Sequence, residues 1–423
     1  MNYVKDYPSG LRLICNKMEG CYSVSFGVFV DVGSIRESSA ENGFSHFIEH
    51  LLFKGTKKRT SLQISEEFDN IGASVNAFTA KDYTCFYSKS IGGDLERCMD
   101  VISDMYFNPA FSEKEMDLER RVVLEEIKMY NDMPDDLVSV LCQQAAYPNQ
   151  PWGQTILGNP QNIKYCDRHS ISEFKNKHYI PSATVISVAG ALDFAEVDAL
   201  VQKYFECNYS GSSQLPREPQ STHESTFLHE FKEVKQSHLE LCWPSYAMTD
   251  DDSYAAGVVS DVLGGGMTSR LYQELREKRG LAYSVHSVAP SYKHCGLFDI
   301  YLGYSSKNNE LVAELIQTEI AKLLKDGITK QELERSTRLS VNSCLIAGES
   351  NMSVMRVNGK RLLKTMKGFD IEDEIEKYKS VTIDDVNRVA QIIFANAPAA
   401  AYVGPQSDNF DAAARIFNIP KKD

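Results

Sequence analysis

The 423-residue sequence contains no run of about 18 apolar residues, no block of five or more basic residues, no Cys-x-x-Cys pair and no low-complexity tract. The first absence argues against a membrane-spanning helix. The second goes with 58 acidic against 45 basic side chains and a formal net charge of −13. That balance argues against nucleic acid or an anionic membrane as partner and favours peptides with basic residues. The third, in a chain too large to need covalent staples, makes the ten cysteines reduced and mostly buried thiols. The opening MNYVKDYPSG lacks both the apolar stretch of a signal peptide and the Arg-rich character of a transit sequence. A cytoplasmic location is therefore expected unless a leader has been removed.

What is present is globular: 43% hydrophobic, 10% aromatic and 24% charged residues supply material for real cores. The length exceeds what one core usually serves, so two or more domains are expected. The sharpest shift in composition is NYSGSSQLPREPQSTHES at 208–225, where Ser, Pro, Gly and Gln crowd and periodicity vanishes. It predicts a linker between a domain at 1–207 and another at 226–423. Before it, the patterns predict strands at 22–32, 74–79 and 84–90 and helices at 42–53, 94–107 and 113–130. After it the order recurs with one extra helix: strands at 237–244, 282–289 and 296–303, helices at 251–263, 269–278, 308–325 and 330–345. The expected fold class is α+β, with two similar domains, each a mainly antiparallel sheet packed with helices.

Chemistry concentrates in GFSHFIEHLLFKGT at 43–56. At 3.6 residues per turn, His46 and His50 share one face of the predicted helix, with Glu49 beside them. Two neutral imidazoles at that spacing can chelate a divalent ion, and the carboxylate can take a proton from a water polarised by it. His-x-x-Glu-His is the inverse of the His-Glu-x-x-His zinc signature. A third ligand is wanted, and the predicted helix at 113–130 offers candidates. Its start carries a capping box, Ser112 with Glu115. On a wheel of about 100° per residue, Met116, Val122, Val123, Ile127 and Tyr130 share one side, and Glu119 and Glu126 fall in its middle. Carboxylates placed there need a neutralising partner. They stand about 10 Å apart along the axis, so one should bind an ion directly and the other act through a neighbour.

Those segments, with ERRVVLEEI at 119–127 and SRLYQELREKRGLAYS at 269–284, resemble the pitrilysin-like, or M16, zinc metallopeptidases. The resemblance spans almost the whole chain and is greatest to short bacterial members similar to the β subunit of the mitochondrial processing peptidase. It implies that His46, His50 and Glu126 bind Zn2+, that Glu49 activates water and that Glu119 supports a ligand. Neighbouring Glu125 is the competing ligand, set about 100° away on the wheel. Within GASVNAFTAKDYTCFY at 72–87, Asn76 and Ala77 resemble the edge strand on which family members lay an extended peptide. Arg276 and Tyr283 resemble a pair that the zinc-free half aims at the substrate carbonyl. The Gly264-Gly265-Gly266 run matches no dinucleotide or phosphate fingerprint.

The resemblance implies a zinc endopeptidase cleaving peptides or unfolded segments by attack of activated water. The rival is a catalytically silent partner subunit, and such relatives commonly lack part of the residue set that is complete here. A storage or regulatory zinc site would want a fourth protein ligand, and none is visible near the motif. A homodimer, or a heterodimer with a related chain, is expected, because longer relatives carry two such chain-lengths in one polypeptide.

Overall fold

The computed structural model describes residues 2–209 and 214–420. Of the predicted linker at 208–225, residues 210–213 thus lie outside the described residues. The remainder is tied down: Gln150 and the Thr222 backbone exchange two hydrogen bonds of 2.8 Å, and the Glu224 amide donates to the Ala146 carbonyl.

Among the described residues the strands form two sheets. The first holds β1 (Asn2–Asp6), β2 (Arg12–Lys17), β3 (Ser23–Val30), β4 (Ser74–Thr79), β5 (Thr84–Ile91) and β6 (Thr184–Gly190), in spatial order β1-β2-β6-β3-β5-β4. The second holds β7 (Phe227–Phe231), β8 (Ser237–Ser245), β9 (Ala282–Val288), β10 (Gly296–Tyr304) and β11 (Ala399–Gly404), in order β7-β11-β8-β10-β9. Each sheet has a single parallel pair, β2 with β6 and β7 with β11, and is otherwise antiparallel. Without β1, the first order reads strand for strand like the second. The sheets are two copies of one topology, as the recurring order of predicted elements implies, and the fold is α+β.

Strand β3 shows why the sheet is covered on both faces. Its alternate residues Val24, Phe26, Val28 and Val30 enter a core with Phe47, Ile48, Leu51, Met99 and Ile102, from the helices that follow it in sequence. The intervening Phe29 faces the other way, into a second cluster with Ile14, Cys85, Val185, Met355 and Leu362. The latter two belong to helix Asn351–Thr365, which comes from the far half of the chain. Its approach is close: a Cβ built on Gly359 would stand 2.2 Å from the Phe29 ring, so only glycine fits. The reciprocal cover is helix Pro134–Ala146, from the first half of the chain, which packs on β11 and β8.

Accordingly the compact units are discontinuous. One comprises Met1–Ile127, Thr155–Pro219 and Cys344–Ile371; the other comprises Lys128–Gln154, Gln220–Ser343 and Glu372–Asp423. Along the chain, each half lends one sheet-covering helix to the other unit. The cysteines are all free thiols, and no helix among the described residues is long and apolar enough to cross a membrane.

Beneath helix Pro134–Ala146 the second sheet carries two acids on neighbouring strands. Glu240 on β8 is buried and accepts from the Ser139 hydroxyl, while Asp299 on β10 lies opposite Cys242. Burial raises both above the ordinary carboxylate range, and the Asp299 charge adds to the shift at Glu240. Acids raised in the folded state stabilise it fully below their unfolded values, near pH 4, and that contribution is lost as pH rises through the raised values. The apparent melting temperature should therefore fall more steeply between pH 5 and 9 in the wild type than in Glu240→Gln. The variant should gain on the order of 2 kcal/mol at the alkaline end. Parallel pH profiles of the two proteins would refute the effect.

Candidate metal centre

Helix Phe44–Leu52 buries Phe44, Phe47, Ile48, Leu51 and Leu52 in the core, and this packing fixes the positions of its polar residues. Its N-cap, Gly43, is left-handed with φ 103°, and a Cβ there would meet the Gly158 backbone at 2.7 Å. No side chain at the cap position satisfies the first amides. Glu37 does so from outside the helix, accepting from the Gly43 amide at 2.8 Å, the Ser45 amide at 2.7 Å and the Asn42 side chain at 3.0 Å. A buried carboxylate thus sits at the positive end of the helix dipole. Sequence reasoning overlooked Glu37. Its only signal is an acid a few residues before a helix that lacks a capping side chain.

His46 and His50 stand one turn apart, with ring centroids 4.7 Å apart and ring planes at 76°. The Glu126 carboxylate reaches both, at 3.8 Å from His46 Nε2 and 3.5 Å from His50 Nε2. The three potential ligand atoms lie within 4.8 Å of one another, and among the described residues no fourth His, Cys, Asp or Glu joins them. Bonds of about 2.0–2.1 Å to a tetrahedral zinc set donors roughly 3.4 Å apart, so the group needs little adjustment to hold one. Two imidazoles and one carboxylate are also the donor set of a zinc site that keeps its fourth position open. Glu125 is exposed and is not in the group.

The surroundings orient the donors. Glu119 Oε2 lies 3.1 Å from His50 Nδ1, which fixes the tautomer that leaves Nε2 facing Glu126. Lys54 Nζ holds the other Glu119 oxygen at 2.9 Å. In the metal-free chain burial would raise Glu119, but the bonds from His50 and Lys54 outweigh it and lower its pKa. Burial likewise opposes the His50 cation, yet Glu119, Glu49 and Glu126 together raise its pKa. Burial, with His50 adding, pulls His46 down to about 3, so that imidazole stays neutral.

Glu49 accepts the Thr79 hydroxyl at 2.6 Å and the Thr79 backbone amide. Burial holds it above the ordinary carboxylate range against these bonds. Thr79 ends β4, whose partner β5 lies on one side, and among the described residues no strand pairs with its other edge. Asn76 is exposed on this strand, and its Oδ1 accepts the Ala77 amide at 2.8 Å.

Two family models match the chain: residues 14–160 match the one described as Insulinase (Peptidase family M16), and residues 165–339 the one described as Peptidase M16 inactive domain. An uncharacterized zinc protease of Bacillus subtilis (strain 168) is 36% identical over 400 residues, covering 95% of this chain and 97% of that protein. The chain belongs to peptidase family M16. A second M16 relative, an uncharacterized zinc protease of Streptomyces coelicolor, is 35% identical over 410 residues, 95% of this chain and 89% of that one. The M16 fold is matched by the crystal structure of a protease from Helicobacter pylori. Its TM-score is 0.89 at 22% identity, and the match covers 96% of this chain and 99% of that chain.

In this M16 chain the insulinase-type segment contains His46, Glu49, His50, Asn76, Ala77, Glu119 and Glu126, whereas Arg276 and Tyr283 fall in the segment of the inactive-domain model. The latter two meet in the second unit, with the Arg276 guanidinium carbon 5.4 Å from the Tyr283 ring centroid and 5.0 Å from that of Tyr272. Tyr283 is 72% exposed on β9, which occupies in its sheet the edge place that β4 occupies in the other. The helix predicted over 269–278 is wider than expected: Tyr272–Glu277 forms a π-helical turn, and the Lys278 amide bonds the Gln273 carbonyl five residues back. Arg276 stands four residues, about one turn, beyond Tyr272, which brings its guanidinium onto that ring.

Proposed function

We propose that this M16 chain is a zinc-dependent endopeptidase that cleaves extended peptides or unfolded segments. The observation that carries this reading is the meeting of three ligand atoms, His46, His50 and Glu126, with a carboxylate, Glu49, anchored at the end of an open strand edge. Zinc, when bound, polarises a water molecule and the scissile carbonyl. Glu49 then takes a proton from the attacking water and returns it to the leaving amine, and its burial-raised pKa suits that exchange. Thr79 holds the carboxylate in place by two hydrogen bonds. The peptide lies along β4 as an added strand, its carbonyl replacing Asn76 Oδ1 at the Ala77 amide, with the Asn76 side chain free to bond it again. Backbone pairing of this kind tolerates many sequences. Arg276 and Tyr283, a guanidinium beside an exposed phenol, are the proposed carbonyl-binding pair of the second unit.

Metal analysis and peptide cleavage test the reading together. The purified protein should hold about one zinc per chain, lose cleavage of an unstructured peptide to a chelator and regain it with added zinc. Glu126→Ala should empty the site, whereas Glu125→Ala should keep its metal. Cleavage indifferent to chelator would refute the proposal. Full zinc in Glu126→Ala beside loss in Glu125→Ala would reassign the third ligand.

A further inference from the structure

Arg356, Lys360 and Lys364 recur every fourth residue on helix Asn351–Thr365, so they line one side of it. Lys364 is fully enclosed, with Nζ 2.6 Å from Asp31 and 3.1 Å from Asp82. Among the described residues neither Lys360 nor Arg356 forms an ion pair. Arg356 instead lies over two rings, its guanidinium carbon 4.6 Å from the Tyr87 centroid and 5.5 Å from the Phe78 centroid. These rings are fixed by their own contacts, Phe78 meeting Tyr83 edge-on at 5.5 Å. A guanidinium held beside aromatic rings rather than by a carboxylate keeps N–H donors available for an anion.

The location gives that anion an identity. Phe78 immediately precedes Thr79, which anchors Glu49, and it belongs to the open edge strand β4. A peptide added to β4 would place its side chains alternately on the two faces, and a residue opposite Phe78 or Asn76 would share their face. We propose that Arg356, reinforced by Lys360, determines specificity by accepting a carboxylate of the bound peptide within about three residues of the cleaved bond. The carboxylate comes from an Asp or Glu side chain or from the peptide's own terminus. This preference is local, since the chain as a whole is acidic and favours basic residues elsewhere. It rests on the peptidase reading above.

The test uses the zinc-loaded full chain and a set of neutral peptides in which one Glu is moved along the sequence, each with a Gln twin, and each with a free or an amidated C-terminus. At one position, or at the free terminus, the carboxylate should raise kcat/KM about tenfold. Arg356→Gln should bring that ratio towards one, and Arg356→Glu should reverse it in favour of Lys at the same position. Dependence on the free terminus alone assigns the ligand to that source and still upholds the proposal. Cleavage without any charge preference, or with the same preference in Arg356→Gln, overturns it while leaving the peptidase reading intact. Fluorescence anisotropy of the same peptides on Glu49→Gln separates the two readings. An Arg356-dependent preference in binding, from a wild-type chain that cleaves nothing, would sink the peptidase reading while leaving Arg356 as the group that binds the peptide carboxylate.

Discussion

Glu49→Gln should lower turnover by roughly 10²–10⁴-fold, the usual contribution of a general base, while zinc content and peptide binding persist. Glutamine is nearly isosteric, and its carbonyl oxygen can still accept the Thr79 hydroxyl that holds Glu49 at 2.6 Å. What disappears is the only proton acceptor that the proposed mechanism places beside the attacking water. The three ligand atoms are on other residues, so metal content should not fall. In kinetic terms the loss should appear in kcat, with KM little changed. Near-normal cleavage by this variant would remove Glu49 from the chemistry, and loss of zinc from it would make its role structural.

The second large effect concerns folding. Lys364→Met should destabilise the chain by about 3–5 kcal/mol, because a buried ion group that loses its cation leaves uncompensated charge. The Lys364 side chain is 0% exposed, and its ammonium meets Asp31 Oδ1, the Asp82 carbonyl and Asp82 Oδ2. Asp31 would keep Arg36 at 2.8 Å, so the cost should fall mainly on Asp82. Adding Asp82→Asn should recover part of the loss. A melting temperature for Lys364→Met close to wild type would show that water or rearrangement relieves the charge.

Legibility differed by kind of signal. The segments 74–79 and 84–90 could be read as strands because alternation and β-branched or aromatic residues coincide there, and the metal-motif helix because its apolar spacing is dense. The His46–Glu49–His50 arrangement is local, within one helical turn, and local geometry survives from sequence to structure. The buried face of the Glu113–Asp132 helix is narrower than the apolar side of its wheel. Met116, Glu119, Val123 and Ile127 are buried, whereas Val122 and Tyr130 are 50% and 37% exposed. A wheel shows which residues share a side, but the width of the contact is set by neighbours distant in sequence. The same limit hid Glu37 and Arg356, whose partners lie on other elements. It also hid the destination of helix Asn351–Thr365, since an apolar stripe does not name the sheet it will cover.

That destination orders events during synthesis. The last strand of the first sheet leaves the ribosome at Gly190, but the helix that seals its second face is complete only at Thr365. At ordinary elongation rates the interval is roughly ten to thirty seconds. Throughout it Ile14, Phe29, Cys85, Val185 and Ala189 lack the Met355, Leu362 and Leu363 side chains that complete their cluster, and the Lys364 ammonium that meets Asp31 and Asp82 has not yet been made. The amino-terminal half should therefore expose part of this apolar face until that helix arrives, and a chain truncated before Asn351 should aggregate more readily than the full one.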